Sequence, residues 1–134
     1  MTPEIRMLRE IFGDTDFEEP LPRTPPNTTP LFQLAAVMPE FANELSLLLA
    51  EQGATALDAS MADLWVFDRC RCEWDGCATI YTRPKPEGAF PARGGTSVLS
   101  KAGPVYIDTS YGMIACIEVL DQPEIRRKLL ESLP

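Results

Sequence analysis

A chain of 134 residues with 45% hydrophobic and 24% charged residues has the length of one domain and enough apolar side chain to build a core. Its net charge of −8 excludes the clustered Lys/Arg that a nucleic-acid backbone requires, and no apolar run approaches the ~20 residues that span a bilayer. The absence of histidine excludes His-based nucleophile systems and His metal sites, and Glu4, Arg6, Arg9 and Glu10 near the start do not read as a secretory leader, so a cytoplasmic protein with reduced thiols is expected.

The charge is uneven. Residues 1–63 hold eleven Asp/Glu against Arg6, Arg9 and Arg23, whereas residues 64–134 hold nine acids and nine bases. An acidic first half suits a basic protein partner. Thr2-Pro3-Glu4 is a helix start, with a hydroxyl cap, a proline in the first turn and an acid at the positive end of the dipole. Ile5, Leu8 and Phe12 then fall on one stripe, and Gly13 ends the pattern. From Asp14 to Pro30, five prolines and four acids in seventeen residues predict an extended strap rather than a packed element. Residues 1–30 are thus an amphipathic helix on a proline-rich acidic arm, able to reach a partner or a second copy in a homodimer. Residues 31–134 form the domain.

Leu31 to Met38 is apolar enough for a short buried helix, interrupted by Pro39. Pro39 to Gln52 carries the strongest helical pattern, with Phe41, Leu45, Leu48 and Leu49 inward and Gly53 as its stop. A short helix is expected at Thr55–Met61. From Leu64 the period changes to two: Leu64–Cys72 and Cys77–Arg83 read as strands around Glu73-Trp74-Asp75-Gly76, where Asp-Gly is a hairpin signal. A long irregular crossing follows, then a short strand at Thr96–Leu99. Pro104–Thr109 and Met113–Leu120 make a second hairpin around Ser110-Tyr111-Gly112. Asp121 and Glu124 form a capping box for a last helix to about Ser132, with Ile125, Leu129 and Leu133 inward. Helices, an antiparallel β-meander of two hairpins with 4–5 strands, and a closing helix define an α+β fold.

Three of the four cysteines, Cys70, Cys72 and Cys77, flank the first turn. If the loop is the four residues Glu73–Gly76, Cys72 faces Cys77 and three thiols share a face, which permits a zinc site or a cross-strand disulfide. If the loop is the three residues Trp74–Gly76, Cys77 turns to the other face. The side chains favour the second, because it groups Val66, Cys70, Cys72, Ala78 and Ile80 on one face and Arg69, Arg71, Glu73, Thr79 and Tyr81 on the other. In that register Cys70 and Cys72 are small buried hydrophobes, and Cys77, beside Arg69 and Arg71, is the candidate reactive thiol. No Cys-x-x-Cys knuckle is present, so no metal ligand is favoured and zinc on Cys70, Cys72 and Cys77 stands as the alternative. In the second hairpin the pattern pairs Ile107 with Ala115 and Val105 with Ile117. It places Met113, Ala115, Ile117 and Val119 in the core and leaves Cys116 half-covered with Ile114 and Glu118.

Asp68, Asp108 and Glu118 are the acids inside predicted strands, but nothing in their spacing brings them together as an acid–base pair. Gly94-Gly95-Thr96-Ser97 lacks the lysine of a phosphate loop. The residues therefore favour a non-enzymatic protein–protein interaction module. Its surface would be Ile5, Leu8 and Phe12 with Trp65, Phe67 and Tyr81, and neutralisation of a basic partner, as by an immunity protein or antitoxin, is one concrete form. A zinc-binding or redox-sensing thiol module is the alternative.

Asp68-Arg69-Cys70-Arg71-Cys72 followed by Cys77-Ala78-Thr79-Ile80-Tyr81-Thr82 resembles a hairpin of small uncharacterised bacterial proteins. Gly112-Met113-Ile114-Ala115-Cys116-Ile117-Glu118-Val119-Leu120 is similar to the closing strand of a small bacterial β-meander family of unknown function, usually Gly-x-Ile-x-Gly-Ile-Glu-x-Leu, with Cys116 at its second glycine. The resemblance implies a bacterial meander and carries no activity or site with it.

Overall fold

The computed structural model describes residues 28–72 and 74–133; the first helix and most of the strap expected before them, with Ile5, Leu8 and Phe12, lie outside the described residues. The described chain is α+β. It opens with β1 (Phe32–Gln33) and a single helical turn, α1 (Leu34–Val37), where one apolar helix is expected. Two causes are visible. Pro39 disfavours helical geometry at Met38, whose φ/ψ is −129/66, and the N–H groups of Leu31 and Leu34 donate to the carbonyls of Val66 and Leu64 at 2.9 Å. A partner strand, β2 (Trp65–Val66), has claimed the segment.

Helix α2 (Pro39–Glu51) starts on its proline and buries Phe41, Ala42, Leu45 and Leu49. Gly53, at φ 79, takes the left-handed conformation that closes a helix at low cost. Helix α3 (Thr55–Met61) buries Met61 and is tied back to α2 by a short hydrogen bond from the Ser46 hydroxyl to the Asp58 carboxylate.

The remaining strands form one antiparallel sheet: β3 (Asp68–Arg69), β4 (Ile80–Tyr81), β5 (Arg93–Ser100), β6 (Gly103–Ser110) and β7 (Met113–Val119), in the order β3-β4-β7-β6-β5. β5-β6-β7 is a meander, and the β3-β4 hairpin adds to its β7 edge. The long strand expected over Leu64–Cys72 is split at Phe67, because Val66 belongs to the ribbon with β1 while Asp68 pairs with Tyr81. The crossing ends sooner than expected, and β5 has eight residues.

Both hairpin registers differ from the alternation-based reading. In the second, Tyr111 (φ 52) and Gly112 (φ 77) make a two-residue turn of the kind whose twist matches the flanking strands. Val105 faces Val119 and Ile107 faces Ile117, and a bulge then inserts Ala115 between the Asp108–Cys116 and Thr109–Ile114 pairs. Thr82 satisfies the two displaced carbonyls: its N–H donates to Ala115 O at 2.9 Å and its hydroxyl to Ile114 O at 3.0 Å. The extra residue breaks the alternation, so Met113 is 50% exposed while Ile114 joins the core; Cys116 keeps its face and is buried there between β4 and β6.

Helix α4 (Pro123–Ser132) begins one residue later than the capping box implies, with Gln122 as its cap and no side-chain cap bond. Asp121 has another partner. Its backbone, at φ 56, donates to Gly76 O at 2.8 Å and so holds the first hairpin. Helices and ribbon lie on one face of the sheet, where Leu34, Leu45, Leu49, Met61 and Val66 join Ile80, Val105, Ile107, Ile117, Val119 and Leu129 in one core. The opposite face is more open: Ser97, Leu99 and Tyr106 on β5 and β6 are exposed. Among the described residues, no helix is long and apolar enough to cross a membrane.

Candidate metal centre

The first hairpin pairs Asp68 with Tyr81 and Arg69 with Ile80, and the Cys70 N–H donates to Thr79 O at 2.9 Å. Carried on toward the turn, this register sets Cys72 opposite Cys77, which is the four-residue loop rather than the three-residue loop favoured by alternation. The four-residue register puts a charge, Arg69, on the same face as buried Ile80. The molecule accepts this because Arg69 is not left bare. Its Nε donates to Leu133 O at 2.5 Å and a terminal nitrogen donates to Cys70 O at 3.1 Å, so the guanidinium caps the C-terminal end of α4.

The consequence is chemical. Cys70, Cys72 and Cys77 project from the open face, and their Sγ atoms all lie within 4.8 Å of one another. Tetrahedral zinc with Zn–S bonds of about 2.3 Å needs sulfurs about 3.8 Å apart, a difference that side-chain rotation covers. Cys72 is exposed, while Cys70 and Cys77 are half-buried. Gly76 keeps the turn compact through space rather than through backbone angle: a Cβ there would meet the Trp74 ring and the Asp121 carboxylate at 2.7 Å.

The thiols are not equivalent. Burial pushes Cys70 up, against the Cys72 backbone N–H that points at its sulfur. Burial also raises Cys77, but the Thr79 hydroxyl and N–H and the two neighbouring thiols outweigh it, so Cys77 lies below the ordinary thiol value. Its thiol donates to Thr79 Oγ1, with Sγ and oxygen 3.4 Å apart; on ionisation the hydroxyl becomes the donor. In each case the N–H two residues on supports the sulfur in its thiolate form. The arginines expected beside Cys77 are engaged elsewhere, Arg69 on Leu133 and Arg71 on Asp68 at 3.1 Å.

The fourth thiol stands apart. Cys116 faces Asp108 on one side and Tyr81 on the other, is 5% exposed rather than half-covered, and lies outside the three-sulfur group. Burial, and then the charges of Asp108 and Glu118, push it up to about 12. Burial also raises Tyr81, with Cys70 next among the causes, and the Lys85 ammonium lies 5.5 Å above its ring. The outer shell of the thiol group is therefore Thr79, Tyr81 and the hairpin backbone.

Among the described residues, the remaining predicted site residues do not assemble into a second centre. Trp65 is 43% exposed in the ribbon and Tyr81 is half-buried in the five-stranded sheet, with Phe67 at the break between the two. Asp68 and Asp108 are separated by β4 and β7, about 14 Å at ordinary strand spacing, and do not form a carboxylate pair. Gly94 to Ser97 lie within edge strand β5, not in a loop before a helix. Comparison with protein-family models, curated proteins and solved structures returns no match.

Proposed function

We propose that the protein is a thiolate metal-binding module that holds one zinc ion per chain through Cys70, Cys72 and Cys77. The observation that carries this is the approach of three sulfurs to within 4.8 Å of one another around one turn. Thiolates are soft ligands that select zinc among abundant divalent ions, whereas magnesium and calcium take oxygen. Three protein ligands leave a fourth position for water or an exogenous ligand. An ion here would also pin a hairpin whose ladder is only two residues long on each strand. The meeting of three cysteines in one small volume is what favours metal binding over a protein-interaction module.

Metal analysis of protein purified without added chelator should find one zinc per chain. Replacement of that zinc by cobalt should give the thiolate-to-cobalt charge-transfer band. Cys70→Ser, Cys72→Ser and Cys77→Ser should each weaken binding at least tenfold, and Cys116→Ser should leave it unchanged. Because each ligand must lose a proton, affinity should fall as pH is lowered. A metal-free protein with four titratable thiols that takes up neither ion would reject the proposal.

A further inference from the structure

Three thiols within reach of one another allow three disulfides, and the backbone distinguishes them. Cys70 and Cys72 are two apart just beyond the end of β3, and with the chain still extended their Cα atoms are about 6.5–7 Å apart, at or beyond the limit for a disulfide. Cys70 and Cys77 are diagonal. The Arg69–Ile80 register, carried past the Cys70 N–H to Thr79 O bond, sets Cys72 opposite Cys77, and directly opposed antiparallel residues have Cα atoms about 4.5–5.5 Å apart, inside the disulfide range. Access sets apart Cys116, which is buried, and favours Cys72, which is exposed, while Cys70 and Cys77 are both half-buried. Position is what selects one pair.

We propose that Cys72 and Cys77 are an oxidative modification site for a hydroperoxide, and that their disulfide and the bound metal are mutually exclusive states of the hairpin. One thiolate of the pair attacks the peroxide, its sulfur takes one oxygen as sulfenic acid, and the O–O bond breaks to release water or an alcohol. The second thiolate attacks that sulfur and expels hydroxide, which leaves as water. Two thiols lose two protons and two electrons, and the hydroperoxide is reduced to an alcohol, or to water, plus one water. Cys70 is left as the lone thiol of the group, and one thiol beside a disulfide no longer holds a soft metal. A bound ion conversely occupies the sulfur lone pairs that would attack. The exclusivity rests on the metal-centre reading; the choice of disulfide pair does not.

The test is hydrogen peroxide treatment of the full chain, chelator-stripped or zinc-loaded, followed by alkylation and peptide mass mapping. Stripped protein should lose 2 Da, with a Cys72–Cys77 cross-link and with Cys70 and Cys116 recovered as alkylated thiols. Zinc-loaded protein should cross-link at least tenfold more slowly and release one zinc, read with a chromophoric chelator, per disulfide formed. Cys70→Ser should abolish zinc binding yet keep the cross-link, a separation that general misfolding would not produce. Predominant cross-linking through Cys70, or oxidation to sulfinic acid without a cross-link, would overturn the pair even if zinc binds. Formation of the Cys72–Cys77 cross-link in a chain that never takes up zinc would uphold the pair and overturn the exclusivity together with the metal reading. Equal oxidation rates with and without bound zinc would overturn the exclusivity alone.

Discussion

Cys116 shows how two cysteines of one chain acquire opposite chemistry. It and Cys77 both project toward the open side of the sheet, yet Cys77 has hydrogen-bond donors at its sulfur while Cys116 has burial and two carboxylates around it. The raised value makes an alkaline prediction for metal-free protein. The unfolded chain ionises this thiol near 9.0 and the folded chain only near 12. Stability from the neutral thiol is therefore intact below pH 9 and is lost progressively as pH rises from 9 toward 12. The full loss is on the order of 4 kcal/mol at about 1.4 kcal/mol per pKa unit. Urea unfolding of wild type and Cys116→Val across that range should show a shallower decline in the variant, and parallel curves would exclude Cys116 as the source. None of this is legible in the sequence, because the covering groups come from β4 and β6, and only the strand order makes them neighbours.

At the scale of elements, one inserted residue decides which side chains are inside. Alternation along Met113–Val119 predicts Met113 in the core and Ile114 out; the bulge at Ala115 reverses both. The bulge persists because Thr82 satisfies its two carbonyls. Thr82→Val keeps the shape and removes the hydroxyl, so it should cost about 1–3 kcal/mol in denaturant unfolding by leaving a buried carbonyl with lost hydrogen bonding. A change below about 0.5 kcal/mol would mean that the hydroxyl contributes nothing to holding the bulge. The first hairpin has the complementary lesson. Alternation keeps the charge of Arg69 out of the core, whereas the fold accepts it there because an acceptor, the carbonyl of Leu133, arrives from 64 residues away. The three cysteines and the register that assembles them are both legible in the sequence, but the preference between the two registers is not.

Across the whole molecule, Arg69 links the thiol hairpin to the last helix, and the Asp121 N–H to Gly76 O bond is a second link between the same two regions. Arg69→Ala should destabilise by about 1.5–3 kcal/mol, the range for hydrogen bonds made by a charged group. The loss should be shared: hydrogen exchange should quicken together at Cys70–Thr79 and at Leu129–Leu133, while the long β5–β6 ladder keeps its protection. Acceleration confined to the hairpin would show that the two regions are not coupled through this side chain. The sequence by itself determined the α+β class, the main helices, the existence of both hairpins and most of the core, since these follow from local periodicity and turn chemistry. Only the tertiary structure decided the registers, the bulge, the burial of Cys116 and the meeting of Cys70, Cys72 and Cys77. Each depends on where a distant carbonyl, hydroxyl or strand supplies a partner, and local pattern carries no information about partners remote in the chain.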